Sequence, residues 1–265
     1  MLEPNPGKKL EIETEDQKWL RLPIKTHFIT PDDNLDFIIQ KYILPYLKKE
    51  DIVCFGQKII SILQKRIVYK KDIKVGFWAK FLSKFATKTP HGFSVGNPLK
   101  MQVAINMAGL PRIIFAGIIG EIGKLFGKRG LFYKLAGHQI NELDGFYGEA
   151  FKEYAEMGIL GPKNCDKLCK EIEEKYNFAC CVVDVNDLGG NILGVSPSLV
   201  GKEKLILQIL RDNPAGQGNE QTPIIIIRKS QISNLKSQNH NSKVKTKIDP
   251  KSCTYDKSFF QERNK

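Results

Sequence analysis

The sequence lacks most of the features that would set it apart from an ordinary globular protein. No uncharged apolar run approaches the roughly 18 residues that a membrane span needs. The most apolar stretch, residues 101–126, is broken by Arg112, Glu121 and Lys124. The opening MLEPNPGKKLEIETED has no apolar core, so no secretory signal is expected in it. No internal repeat is visible, and the composition is neither collagen-like, coiled-coil-like nor cysteine-dense. None of the glycine-rich stretches ends in Gly-Lys-Ser/Thr, which excludes a Walker-type phosphate loop. No Ser-His-Asp arrangement stands out, which argues against a hydrolase of that kind.

Acidic residues are also scarce. There are 29 Asp+Glu against 41 Lys+Arg, a net charge of +12. Half of that excess lies in residues 229–265. Lys229, Lys236, Lys243, Lys245, Lys247, Lys251, Lys257, Arg263 and Lys265 there face only Asp249, Asp256 and Glu262. The segment is rich in Ser, Asn and Gln and has no apolar period, so a disordered basic tail is expected. It is either a solvated extension or a weak contact for RNA or an anionic membrane.

The rest is suited to a packed core. The chain has 265 residues, 42% hydrophobic and 26% charged, enough for one large domain or two modest ones. Six cysteines are present. Cys165 and Cys169 are spaced to share a helix face, but no second ligand pair completes a zinc site. Cys54, Cys180 and Cys181 sit inside apolar runs as small core residues. Reduced thiols in a cytoplasmic protein are the simplest reading.

A strand is expected over residues 10–23. A helix follows from Thr30-Pro31-Asp32-Asp33, with Thr30 or Asp32 as cap and Leu35, Ile38, Ile39, Tyr42 and Ile43 on its buried side. Residues 51–55, 178–185 and 223–228 are continuous apolar runs, as in strands buried on both faces. Helices are expected over residues 76–87, 99–127 (with breaks), 162–176 and 200–211. A glycine/proline loop is expected over 89–98 and a strand pair over 131–140. Helices and strands do not alternate strictly, so the expected class is α+β, with mixed sheets and packed helices.

Three segments carry candidate chemistry. In Asp184-Val185-Asn186-Asp187-Leu188-Gly189-Gly190-Asn191, a carboxylate leaves a buried strand, where it needs a partner. A hard cation such as Mg²⁺ or Mn²⁺ would serve, and so would a capping turn. The loop from Asp212 to Pro223 is polar and glycine-rich; its backbone N–H groups can cradle phosphate, or it simply joins a helix to a strand. In the third segment, Asp144-Gly145 is a turn signal, and Asp144 is a second candidate metal carboxylate. His138 there reads as structural. His91 is more exposed, without a visible partner.

Taken in order, these segments resemble the coenzyme F(420):gamma-glutamyl ligase family. The resemblance is carried by Leu22-Pro23-Ile24, by Asp33 and Leu35, and by Asp51-Ile52-Val53 leading to Gln57-Lys58-Ile59-Ile60-Ser61. It continues with Asp144, with Asp184-Val185-Asn186, and with Gly216 to Glu220 before the last apolar run. It spans roughly residues 20–228 and is thin between 66 and 135. It implies a ligase-like fold over residues 1–228, with a helical elaboration near 99–130. It also implies amide formation between glutamate, or a similar amino acid, and a small carboxylate acceptor through an acyl phosphate. GTP or ATP would be the co-substrate, Mn²⁺ or Mg²⁺ the metal, and a homodimer the assembly. Carried over residue by residue, Asp144, Asp184, Asn186 and Gln217 would serve the metal. Leu22, Pro23, Gln57, Lys58, Gly216, Gly218 and Glu220 would serve the nucleotide, with Leu22 and Pro23 bordering the base. The chain departs from the family pattern at Gln217, in place of a glutamate, and at Val185, in place of a threonine. Ile62 replaces a lysine for which Lys65 is the nearest substitute. These departures keep open a non-catalytic nucleotide-binding protein on the same scaffold.

Overall fold

The computed structural model describes residues 3–14, 17–86, 95–128, 130–137, 139–147, 151–187, 189–216 and 218–230. His91, His138, Gln217, Cys253 and the basic segment after Ser230 lie outside them. The elements in chain order are β1 (Glu11–Thr14), β2 (Gln17–Ile24), α1 (Leu35–Ile38), β3 (Ile52–Gly56), α2 (Gln57–Leu63), β4 (Ile67–Tyr69), α3 (Phe77–Leu82), α4 (Pro98–Ala108), α5 (Leu110–Leu125), α6 (Leu131–Ala136), β5 (Asp144–Gly145), β6 (Met157–Ile159), α7 (Cys165–Tyr176), β7 (Ala179–Asn186), β8 (Gly189–Val195), α8 (Glu203–Leu210) and β9 (Ile224–Lys229). The fold is α+β.

The main sheet has the order β1-β2-β9-β3-β7-β8. Only β3 and β7 run parallel, with Gly56 opposite Val183. Successive side chains of a strand point to opposite faces, and here both faces are covered. Val53, Phe55, Cys180, Val182, Ile224 and Ile226 enter one core with residues of α1, α2 and α7. Cys54, Cys181, Val183, Ile225 and Ile227 enter the other with Ile206, Ile209 and Leu210 of α8. The missing alternation in these runs is therefore a direct record of two-sided burial. Cys54 and Cys181 are cross-strand neighbours with Sγ atoms 3.4 Å apart. They are unbridged, as are the buried Cys165, Cys169 and Cys180.

Several expectations are corrected. Residues 10–23 are not one strand but the hairpin of β1 and β2. The cap of α1 is neither Thr30 nor Asp32 but Asn34, whose side chain accepts from the Asp36 N–H at 2.7 Å. That helix soon widens into a π-turn over Ile39–Ile43. The strand pair expected over 131–140 is α6, followed by a 3₁₀ turn at Ile140–Glu142. Its aromatic residues suggest a strand, but packing decides otherwise. Gly120 and Gly123 of α5 let Phe132 and Leu131 approach where a Cβ would stand 3.0 and 2.4 Å from them. The buried strand runs one residue further than expected, to Asn186, which stands opposite Gly189 of the antiparallel β8. A small sheet, β4-β6-β5, was not foreseen. Lys229, assigned to the tail, pairs with Trp19 as the last residue of β9. Among the described residues no single helix is long and apolar enough to cross a membrane.

Arg21 ties β2 to the end of α8. It is 1% exposed and donates to the Ile209 carbonyl at 3.1 Å, to the Lys9 carbonyl and to both carboxylate oxygens of Asp212. Burial opposes ionisation of Asp212, but the hydrogen bond and charge of Arg21 outweigh it and hold the carboxyl below its usual range. A lowered native pKa stabilises the fold above the unfolded value near pH 4, and the gain is lost as pH falls through the native value. Arg21→Met is expected to cost about 2–3 kcal/mol at neutral pH, less than a fully buried pair because Asp212 reaches solvent. Urea titrations should show that cost shrinking as pH falls below about 4.

Candidate functional site

Parallel strands deliver their C-terminal ends to one edge of a sheet, where ligand crevices form. Here β3 ends at Gly56 and passes straight into Gln57 and Lys58 of α2, beside Asp184 and Asn186 of β7. The loop that leads into β9 arrives at the same edge, its Pro223 carbonyl accepting from the Gly56 N–H at 2.8 Å. Together with the segment carrying Asp144 these walls enclose a cleft of about 730 Å³.

Gln57, Lys58, Asp144, Asp184, Asn186, Gly216, Gly218 and Glu220 all line this cleft. Leu22 and Pro23 do not. Leu22 packs in the core, and Pro23 is buried opposite Ile225 in the sheet. The residues of that strand's exit that reach the cleft are Thr26 to Ile29. Ile62 is buried in the core, and Lys65 is absent from the cleft walls. Val185 lines the cleft while packing partly against the core.

Asp144 is placed by a short strand that tolerates only glycine next to it. Gly145 has φ +86°, and a Cβ there would stand 2.1 Å from the Met157 carbonyl oxygen. The Gly145 N–H donates to Asp144 Oδ1 at 2.8 Å. Gln57 holds the approach to this strand by donating its side-chain amide to the Glu142 carbonyl at 2.8 Å.

Lys58 Nζ lies 2.9 Å from Asp144 Oδ2 and 3.1 Å from the Tyr147 hydroxyl, with the Tyr154 ring 4.7 Å away. Burial opposes the Lys58 charge, yet Asp144 and its other neighbours raise its pKa above the usual lysine value. Behind them stands Lys100 of α4, 1% exposed, its Nζ 5.2 Å from the Tyr147 ring centroid. Burial lowers its pKa; Asp144 opposes that shift and Lys58 adds to it. Burial would raise the Asp144 pKa, but Lys58, Lys100 and Tyr147 bring it down to about 2. Asp184 is shifted the other way, by burial and then by the Asp144 charge. Glu142 is raised by burial and by Asp184.

The glycine-rich loop is firmly seated. Asn5 donates its amide to the Pro214 carbonyl at 2.8 Å and to Thr222 Oγ1 at 2.7 Å. Thr26 N–H donates to the Gln221 carbonyl at 2.9 Å. Gly216 has φ +75°, and the Glu220 carboxylate folds over it to within 2.8 Å of where a Cβ would be.

A family model for F420-0:gamma-glutamyl ligase matches residues 23–193, well over half the chain. The chain belongs to that family. No curated protein matches it significantly. For this gamma-glutamyl ligase family member, the match covers Lys58, Asp144 and Asp184 and ends before the glycine-rich loop.

No cluster of three or more His, Cys, Asp or Glu side chains is gathered tightly enough to hold a metal ion among the described residues. Mg²⁺, however, commonly takes only one or two carboxylates and fills its shell with water and substrate phosphates. Asp144 and Asp184 feel each other's charge, and Asn186 adds a carboxamide beside them. Asp144, Asp184 and Asn186 are the cleft residues that could hold such a cation.

Sequence reasoning missed Lys100, Glu142, Tyr147 and Tyr154. Nothing in the pattern around Lys100 marks it, since it sits in the stretch where family resemblance is thin. Glu142 stands two residues before Asp144, so the signal was at hand. Sequence reasoning also passed over the run Gly92-Phe93-Ser94-Val95-Gly96, which has the Gly-x-Ser-x-Gly spacing of a nucleophile elbow; residues 92–94 lie outside the described residues.

Burial and the Asp144 charge raise the Asp184 pKa, so ionising it costs the fold. A carboxyl with a raised native pKa destabilises the folded state above that value, and the loss is recovered as pH falls through it. Asp184→Asn should therefore stabilise the ligand-free protein at neutral pH by about 1 kcal/mol, seen as a higher melting temperature, and abolish any shift caused by Mg²⁺ or Mn²⁺. Calorimetry with and without metal checks both halves.

Proposed function

We propose that this chain is a nucleotide- and divalent-metal-dependent ligase that joins glutamate, or a similar amino acid, to a small carboxylate acceptor. The observation that carries the reading is the convergence of Lys58, Asp144 and Asp184 with the glycine-rich loop around one cleft. In the first step an acceptor carboxylate oxygen attacks the terminal phosphorus of GTP or ATP, giving an acyl phosphate and the nucleoside diphosphate. In the second, the amino-acid nitrogen attacks the acyl carbon, loses a proton and expels inorganic phosphate.

Two anions must meet in the first step, so the chain's task is largely electrostatic. Lys58 supplies a half-buried positive charge at the cleft wall, and the buried Lys100 reinforces it from behind. The loop carrying Gly216 and Gly218 brings its backbone to the same cleft, where such a loop can meet phosphate oxygens once the Glu220 carboxylate moves aside. A metal held by Asp144 and Asp184, with Asn186, would neutralise phosphate charge. Glu142, raised toward neutrality, suits proton transfer from the attacking amine.

A second reading is a non-catalytic nucleotide-binding protein on the same scaffold. It draws on the Lys58–Asp144 pair, which already satisfies one of the two carboxylates, and on Val185, which lacks a hydroxyl. Turnover with any amino-acid donor excludes it.

Thermal unfolding with GTP and with ATP, each with and without Mg²⁺ or Mn²⁺, tests the site directly. A ligand that binds only the folded chain adds about 2.7 kcal/mol at a hundredfold excess over its Kd. A metal-dependent rise with one nucleotide is expected. No rise with either overturns the nucleotide reading.

A further inference from the structure

The helices α3, α4, α5 and α6 share a core of their own, built on Ala79, Met101, Ala104, Ile113, Ala116 and Ala136. Two of these helices are packed with small residues inward and large apolar residues outward. On α5, Ile113, Ala116, Gly120 and Gly123 are buried. Phe115, Ile118, Ile122 and Leu125 recur at the same spacing, two positions on, which places them on roughly the opposite side of the helix. They are exposed, Leu125 at 85% and Phe115 at 56%. Around α3 the pattern repeats. Ala79 and Ser83 are buried, while Phe77, Phe81 and Phe85 are exposed, Phe77 at 71%. Their rings form a ladder, 5.9 Å from Phe77 to Phe81 and 5.1 Å from Phe81 to Phe85, with Trp78 beside it.

The charge of this region is as unusual as its exposure. Residues 70–136 hold twelve Lys and Arg but only two acidic residues, Asp72 and Glu121, a net +10 within a chain of +12. Lys74, Lys80, Lys84, Lys124, Lys128 and Lys134 are exposed in the same segments as the apolar strips. Clusters of exposed large apolar side chains of this kind mark an interaction site. Apolar side chains surrounded by lysines are complementary to the boundary between anionic headgroups and acyl chains. Exposed Ile118, Ile122 and Leu125 offer little to a nucleic acid, which rewards aromatic stacking and charge alone.

We infer that the helical unit of residues 70–136 docks this protein onto anionic membrane surfaces, with the exposed strips of α3 and α5 entering the interface and the lysines facing headgroups. The unit lies on the bilayer and does not cross it. α4 and α5 are bent by 114° where they meet, and the apolar side of α4 carrying Met101, Val103 and Ala104 is already buried in protein. This inference stands apart from the ligase reading.

Vesicle co-sedimentation of the full chain tests it, using phosphatidylcholine alone or mixed with phosphatidylglycerol. Binding to the anionic vesicles is expected, with a blue shift of tryptophan emission from Trp78, since Trp19 is already buried. Ile118→Ser with Ile122→Ser, and separately Phe77→Ser with Phe81→Ser, should weaken partitioning about tenfold or more with unchanged melting temperature. Val200→Ser, at an exposed apolar residue outside the unit, should leave it unchanged. Absence of binding to anionic vesicles overturns the inference. So does binding that survives both pairs of substitutions but is lost when Lys243, Lys245, Lys247 and Lys251 become Gln. Retention of homopolymeric RNA without vesicle binding overturns it in favour of a nucleic-acid surface. A dimer in solution that the strip substitutions dissolve, again without vesicle binding, overturns it in favour of a second copy of the chain.

Discussion

The parallel alignment of β3 with β7 is the constraint on which the site depends. It brings Gln57 and Lys58 to the same sheet edge as Asp184 and Asn186, although they are more than a hundred residues apart in the chain. On the other side of β3, the antiparallel β9 begins opposite Phe55, so the loop before it must enter at that edge too. A slip of one residue in either pairing would exchange the two sets of buried side chains between the two cores. Both cores are filled by Ile, Val and Cys from these strands, so the register is held by the same packing that stabilises the sheet. The site thus inherits its geometry from the core.

Charge organises what that geometry gathers. Asp144, Asp184 and Glu142 share one cleft but not one environment. Lys58 and Lys100 keep Asp144 ionised, whereas burial and its acidic neighbours draw Asp184 and Glu142 toward the protonated form. Separating the pKa values of neighbouring carboxyls is how one cleft supplies both a fixed negative charge and a group able to take a proton. The arrangement carries a cost: Asp184 and Glu142, half-buried with raised pKa values, destabilise the fold when ionised. Arg21 on Asp212 and Arg228 on Asp51 offset it from the ends of the sheet. The Arg228 pair is bidentate at 2.8 and 2.6 Å, with Asp51 also accepting the Lys48 N–H at 2.7 Å.

How much of this was legible in the sequence depended on whether the signal was local. The three strands at the centre of the sheet were plain, because burial on both faces writes a continuous apolar run. Asp144 and Asp184 stood out as carboxylates beside such runs or beside a turn glycine. Lys100 did not, because its role comes from tertiary placement: a lysine near the start of a helix is ordinary until the helix packs behind Asp144. The short strands β4, β5 and β6 carry too few residues to show a period. Residues 131–140 misled because aromatic content suggests a strand, while the glycines that allow α6 to dock lie on a different helix. Leu22 and Pro23 misled for the opposite reason: a resemblance supplied a role, and the structure gives them to the core.

α4 is the element that joins the helical unit to the cleft. Its Met101 and Ala104 belong to the core shared with α3 and α5, while Val103 packs with Leu143 and Phe146, the residues on either side of the Asp144–Gly145 strand. Lys100, one residue before Met101, faces the same strand and feels the charge of Asp144. The unit is therefore bolted to a wall of the cleft and is not an appendage on a hinge. Because α4 is common to both packings, the inward face of α5 and the position of Asp144 are fixed relative to one another through a few rigid contacts. Whatever surface the outward face of α5 meets, it holds the cleft at a set orientation to that surface. The large side chains left outside α3 and α5 also explain why the inward faces are so small. Ala79, Ala116, Gly120 and Gly123 let the helices pack closely without their bulky residues, which leaves those residues free for an outer contact.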